Sequence, residues 1–479
     1  MLFNSIDFIF FFPLVILLYF LTPARFRWVL LLIASYYFYM CWKAEYAILI
    51  LLSTVVDYFV AIKMEETEEK KDRKKWLYIS LFVNLGILFT FKYFNFFSES
   101  VQVALNAFNI FDGGWVHQLL LPVGISFYTF QTLSYSIDVY KGDIKAERHF
   151  GFFALYVSFF PQLVAGPIER PGRLLPQLKK KHSFDPARVV DGMKLMTWGF
   201  FMKLVVADRL SPFVDSVYSN PDKFQGLQVL LATIFFAFQI FCDFAGYSLI
   251  ARGTSRVMGY ELMKNFKRPY LASSIREFWQ RWHISLSTWF RDYLYIPLGG
   301  NRVVKWRWYY NLMVTFVVSG LWHGANWTFV AWGFLHGLYL IVEILFKPVG
   351  DRLDQNKTVA KVRNLLAIPF TFFLATFAWI FFRAGSIGDA FTLIGNMTNM
   401  QANQFSFAKM PKTSGTELLL MFLAIGILML YHFWEELKWG PPPMRSENVI
   451  VRWVTYVLVV MAILGFGVYT SSEFIYFQF

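Results

Sequence analysis

Two histidines, His283 and His323, are the side chains of this sequence best suited to moving a proton. His323 stands in Val318-Ser319-Gly320-Leu321-Trp322-His323-Gly324-Ala325-Asn326-Trp327, between a predicted helix end and a turn loosened by glycine. His283 lies 40 residues upstream, at the edge of the same hydrophobic block. The stretch around His323 offers no acidic partner that would make it a simple ion-pair member. A neutral imidazole accepts a proton at physiological pH, as a general base must. The competing reading is packing, the commoner fate of a lone histidine in an apolar segment. His336 is read that way, because on an unbroken helix it falls on a different side from His323. No metal site is expected: these three histidines lack the close spacing, two histidines four apart with an acid, that marks zinc on a helix. Glycine-rich phosphate loops of the nucleotide-binding type are absent as well, so ATP-driven transport has no support.

The elements that must hold these residues are membrane helices. Of 479 residues 57% are hydrophobic, 20% aromatic and only 16% charged, against roughly 25% charged in soluble domains. The formal net charge of +13 would suit nucleic acid in a soluble protein. Here Lys and Arg gather in short segments between apolar runs, as cytoplasmic loops do, so no nucleic-acid partner is expected. Cys41 and Cys242 both sit in apolar stretches and read as packing residues. The first apolar run has no basic leader or small-residue cleavage site, and is expected to stay as a span.

A spanning helix needs about 20 mainly apolar residues. Candidates stand near 8–22, 27–42, 46–62, 76–93, 119–138, 148–166, 191–208, 227–250, 308–322, 326–346, 363–382, 416–432 and 450–470. Several are short, so the expectation is an all-α polytopic membrane protein with about 11–13 transmembrane helices. The charge run Lys63 to Lys75 is assigned to the cytoplasm by the positive-inside rule, which puts both ends of the sequence outside if 148–166 does not cross. That segment ends Phe159-Phe160-Pro161-Gln162-Leu163-Val164-Ala165-Gly166-Pro167 and suits a broken, re-entrant path through a protein-lined cavity. Without repeats or a soluble linker, residues 1–479 read as one membrane domain with an extracytoplasmic tail, 471–479. Phe278, Trp282, Leu286 and Phe290 recur every fourth residue, while Gln280, His283, Ser287 and Arg291 take another face. This amphipathic helix is too polar to span, and is either an interfacial helix or the polar wall of a cytoplasmic opening.

Four stretches together resemble the membrane-bound O-acyltransferase family, and within it the bacterial alginate O-acetyltransferase branch, which is similar to the D-alanyl transfer proteins of teichoic acid. They are Gln131-Thr132-Leu133-Ser134-Tyr135-Ser136-Ile137-Asp138-Val139-Tyr140; Phe160 to Glu169; Arg281-Trp282-His283-Ile284-Ser285-Leu286-Ser287 with Arg291-Asp292; and Leu321-Trp322-His323-Gly324. The resemblance implies that family's fold, with helices around a thin centre where an outer funnel and a cytoplasmic cleft meet. It implies His323 as the base and His283 as the second catalytic position. Gln131, Arg281, Ser287, Arg291, Trp322 and Asn326 are the expected substrate-binding residues. Arg276, Lys264, Lys267 and Arg268 either attract donor phosphates or are solvated loop charge.

The donor implied is a cytoplasmic thioester, acyl-CoA (acetyl-CoA foremost) or an acyl carrier, with no resident cofactor. The acceptor is an exported polysaccharide or glycan, reached through an extracytoplasmic partner acyltransferase of the SGNH-hydrolase type. The setting is the bacterial cytoplasmic membrane and its lipid. The sequence ends Phe474-Ile475-Tyr476-Phe477-Gln478-Phe479, similar to the terminal motif of the small partner in teichoic acid D-alanylation, whose tyrosine carries the acyl group. On that likeness Tyr476 is a candidate acyl-carrying nucleophile; otherwise it belongs to an interfacial aromatic belt. The alternatives are D-alanyl transfer to teichoic acid and a non-catalytic transporter or scaffold.

Overall fold

The computed structural model of the chain describes residues 1–108, 120–163, 166–399, 411, 413–469 and 474–475. Among them no strand occurs. In chain order the helices are α1 (Ile6–Leu21), α2 (Arg27–Met40), α3 (Ala47–Glu66), α4 (Lys70–Leu88), α5 (Phe94–Ala107), α6 (Ile125–Lys141), α7 (Phe150–Ser158), α8 (Phe160–Leu163), α9 (Pro171–Lys179) and α10 (Pro186–Phe200). They continue with α11 (Asp208–Tyr218), α12 (Leu227–Met258), α13 (Ile275–Arg281), α14 (Ile284–Phe290), α15 (Lys305–His323), α16 (Trp327–Leu353), α17 (Lys357–Arg383), α18 (Ile387–Thr398), α19 (Gly415–Glu436) and α20 (Val449–Phe466). Among the described residues seven helical stretches are long and apolar enough to cross a bilayer: Ala44–Glu66, Lys70–Ala107, α12, α16, α17, α19 and α20. The other expected segments also form helices, but shorter or more polar ones. The chain is thus a multi-pass, all-helical membrane protein. It divides into two compact units, Met1–Met196 with Ser248–Met263, and Thr197–Tyr247 with Lys264–Phe479.

In the first unit, α3, α4 and α6 are fastened by a buried polar knot. Asp57 accepts hydrogen bonds from Ser80, from Asn84 Nδ2 (2.8 Å) and from Ser136 Oγ (2.9 Å), and Asn84 Oδ1 takes the Thr132 hydroxyl at 3.0 Å. All five side chains are fully buried. Lipid-exposed surfaces gain nothing from apolar contact between helices, so a carboxylate at this depth persists only where neighbours satisfy it. The broken segment behaves as its prolines dictate: α7 has nine residues, and the chain turns at Phe159 before α8. Nine residues rise about 14 Å, short of the ~30 Å hydrocarbon core, so α7 does not cross by itself. Its residues from Phe153 to Ser158 are buried in protein.

The second unit is built on the antiparallel hairpin of α15 and α16. The two helices approach through glycine: a Cβ at Gly320 would run into the Phe329 carbonyl oxygen, and one at Gly333 into that of Phe316. Gly324 is needed for the same reason, because any side chain there would overlap the Phe329 ring. The hairpin therefore ends α15 on His323 and starts α16 at Trp327, whose N-cap is Asn326.

One expectation is corrected here. Residues 278–293 do not form a single helix; α13 and α14 are separate seven-residue helices, and α14 is followed by a π turn, Arg291–Tyr295. The break falls at His283, whose φ is +40°, the left-handed region that costs most non-glycine residues energy. Asn265 holds it. The Asn265 carbonyl accepts Ile284 N–H at 2.9 Å and its Oδ1 accepts the Ser285 hydroxyl at 2.6 Å, so this tertiary bonding outweighs the four-residue periodicity.

Two outcomes follow for stability. Asp57→Ala removes three hydrogen bonds that average about 0.6 kcal/mol each in membrane proteins, for a loss of about 2 kcal/mol in unfolding measured in detergent. Gly333→Ala forces the α15–α16 backbones apart, costing about 1–3 kcal/mol in the same measurement.

Candidate active site

The second unit brings His283 and His323 together. Their ring centroids lie 6.4 Å apart, and exposures of 0% and 3% put both out of contact with bulk water. His323 sits in an aromatic box, with the rings of Trp322 and Trp332 each at 5.0 Å and Phe382 at 5.3 Å. His283 packs edge-on against Phe244 at 4.6 Å, with Trp322 at 6.1 Å. His283 lies between two helices too short to span, and burial pulls its imidazolium pKa down to about 3, so the ring is neutral at physiological pH. Such a site has a low effective dielectric, which strengthens any hydrogen bond made inside it. Among the described residues nothing accepts a hydrogen bond from the indole N–H of Trp332 or of Trp379, whose rings stack at 5.6 Å. A buried donor left in that state costs about 1–3 kcal/mol.

His336 is a packing residue: its Nδ1 accepts the Trp279 indole N–H at 3.2 Å, and its ring stacks on Phe278. Of the residues expected to bind substrate, Trp322 packs its ring against both histidines, and the Ser287 N–H donates to the His283 carbonyl at 2.9 Å. Arg281 is engaged by Glu277 (2.5 Å) and Glu436 (2.8 Å), and Arg268 by Glu435 (2.9 Å) and Glu436 (2.6 Å). Arg291 pairs with Asp292 at 2.7 Å on the surface, and Ser287 donates to the Trp282 carbonyl at 3.1 Å. Asn326 caps α16 through Thr328 N–H and bonds the Gly385 carbonyl at 3.1 Å. Gln131 belongs to the first unit, where it donates to the Tyr156 carbonyl at 2.5 Å. Tyr476 lies outside the described residues.

The two residues before it are described, and both are buried. The Phe474 ring rests against Tyr247 at 4.7 Å and Phe244 at 5.5 Å, so Phe244 is sandwiched between Phe474 and His283. The Ile475 amide donates to Asp243 Oδ2 at 2.7 Å. Sequence reading missed Asp243 and its partner Lys203. The available signal was an acidic and a basic residue within two apolar segments, 191–208 and 227–250, where ionisable groups are costly and therefore informative.

The family model described as membrane-bound O-acyltransferase matches residues 144–384, which include both histidines. The protein named probable alginate O-acetylase AlgI in Azotobacter vinelandii is 37% identical over 94% of this chain and 89% of its own length. The peptidoglycan O-acetyltransferase of Helicobacter pylori is 35% identical over 84% of this chain and 80% of its own. A teichoic acid D-alanyltransferase from Streptococcus thermophilus is 32% identical over 51% of this chain and 61% of its own. A match that spans nearly the whole length of a relative, and a family model that covers the helices holding the buried histidine pair, lead to one conclusion: the chain belongs to the membrane-bound O-acyltransferase family.

Proposed function

We propose that this protein moves an acetyl group from a cytoplasmic thioester, acetyl-CoA or an acyl carrier, toward an exported polysaccharide, with His323 as general base and Tyr476 as first acceptor. The observation that carries this reading is the buried His283–His323 pair with the Phe474–Ile475 dipeptide packed one ring away. Tyr476 follows Ile475 directly in the sequence.

In this scheme His323 takes the Tyr476 phenolic proton as the oxygen attacks the thioester carbonyl carbon. The oxyanion that develops is met by a donor, His283 or the Trp332 indole N–H. Collapse breaks the C–S bond, and the His323 imidazolium returns the proton to the departing thiolate. The acetyl group then passes from the tyrosine oxygen to a polysaccharide hydroxyl, whose proton regenerates the tyrosine phenol, catalysed by an extracytoplasmic SGNH-type acyltransferase. Holding acceptor and base in one enclosure lowers the barrier by several kcal/mol through proximity. The names of the alginate and peptidoglycan relatives favour acetyl and a glycan. The partial match to D-alanyltransferases makes D-alanyl transfer to teichoic acid the second reading. By this reading the protein resides in the bacterial cytoplasmic membrane.

In lipid vesicles supplied with labelled acetyl-CoA, His323→Ala is expected to lower acyl transfer about 10²–10⁴-fold while the protein remains folded. Transfer retained in that variant overturns the assignment, and solute flux that survives it points to a transporter. The pH profile gives a second check. A protonated imidazole cannot accept a proton, so the rate falls as pH drops through the base's own pKa. His283, held near 3 by burial, adds no limb above about pH 5. His283→Gln therefore lowers the rate but leaves the position of the acid limb unchanged.

A further inference from the structure

Three buried charged residues of the second unit have no part in the proton chemistry. Lys203 Nζ lies 2.8 Å from Asp208 Oδ1 and 2.6 Å from Asp243 Oδ1, and the three side chains are 1%, 3% and 4% exposed. Buried ion pairs of this kind contribute little net stability over apolar packing, so stability alone does not account for the cluster. The second Asp243 oxygen has a further partner, the Ile475 N–H, from which it accepts.

The same stretch fastens the chain that leads there. Lys203 and Leu204 lie in a π turn, Phe201–Ala207, a distortion that recurs at functional sites. The Leu204 carbonyl accepts Val468 N–H at 3.0 Å, and Arg209, just beyond the turn, donates to the Phe466 carbonyl and to Glu417. The floor of the Phe474 pocket is the Tyr247 ring, over which Lys203 Nζ sits at 5.4 Å. Asp243 and Tyr247 are four residues apart on α12 and share a face. That face comes close to the end of α10, because Gly246 has no Cβ; one there would lie 2.8 Å from the Gly199 carbonyl oxygen. Amide, ring and leading chain are therefore seated by one group of residues: Lys203, Leu204, Arg209, Asp243 and Tyr247.

We infer that the Lys203–Asp243–Asp208 cluster is a register clamp, which binds the 474–475 dipeptide through the Ile475 amide and so fixes residue 476 as the one presented for acylation. This inference rests on the carrier role proposed for Tyr476. Lys203 is shared between the Asp208 and Asp243 carboxylates and orients Asp243, which acts as a positioning residue. A slip of one residue moves the presented hydroxyl by about 3.5 Å, far more than the ~1 Å misplacement that costs a reaction about 10²-fold.

The test uses the full chain in lipid nanodiscs with labelled acetyl-CoA. Two quantities are measured: hydrogen exchange of the peptide containing Ile475, and acyl occupancy of Tyr476. Asp243→Ala is expected to speed exchange about 10-fold, as loss of one charged hydrogen bond would. It should also lower occupancy about 10-fold or more, with the donor KM unchanged. Asp243→Asn keeps an acceptor oxygen and restores most of both. Should Asp243→Ala fail to fold, Phe474→Ala empties the ring pocket of the same clamp and gives the same two readings. Unchanged exchange in the folded variant overturns the clamp, and faster exchange with undiminished occupancy overturns its positioning role. If wild-type Tyr476 carries no acyl group, the carrier reading fails, while the exchange measurement still decides whether Asp243 holds the segment.

Discussion

Proton transfer inside a hydrocarbon-rich enclosure requires the reacting groups to be held by backbone, because long polar side chains and water are not available to correct their positions. Here two backbone features set the spacing of the His283 and His323 rings. One is the α15–α16 crossing, which Gly320 and Gly333 allow to close until carbonyl oxygens stand where a Cβ would be. The other is the left-handed turn at His283, kept in place by the carbonyl and side chain of Asn265. The aromatic box of Trp322, Trp332 and Phe382 depends on both, since its members come from α15, α16 and α17. In the proposed reaction, groups held this way need no solvent rearrangement as charge develops.

The buried ionic cluster around Lys203 has a similar logic. Its carboxylates are costly at this depth, and the cost is offset only by pairing and by the amide and ring contacts they organise. The segment from Phe466 to Ile475 is attached at its beginning through Arg209 and Leu204 and at its end through Asp243. On the proposed carrier role, attachment at both ends is what would hold one register for the acceptor.

Much of this was legible in the sequence. Apolar runs of spanning length located α3, α4, α12, α16, α17, α19 and α20, and the Leu321-Trp322-His323-Gly324 motif located a helix end with a histidine on it. The prolines at 161 and 167 marked a segment that α7 does not complete as a span. The break at His283 was not legible: a four-residue repeat fits one helix as well as two, and the partner that bends it, Asn265, acts through tertiary bonding. Arg281 and Asn326 are expected from the motifs to bind substrate, and what the sequence does not show is their partners in the fold: Arg281 pairs with Glu277 and Glu436, and Asn326 caps α16. Lys203 and Asp243 were visible as charges in apolar segments, yet their pairing is a long-range contact that no local spacing encodes.

In the proposed reaction the acyl group leaves its thioester for a tyrosine oxygen under the control of His323. The most direct measurement is a single turnover with labelled acetyl-CoA, followed by mass spectrometry of peptides containing residue 476. The account predicts labelled Tyr476 in the wild-type protein before label reaches polysaccharide, and none in His323→Ala. Labelled polysaccharide formed while Tyr476 remains unlabelled throughout would contradict it.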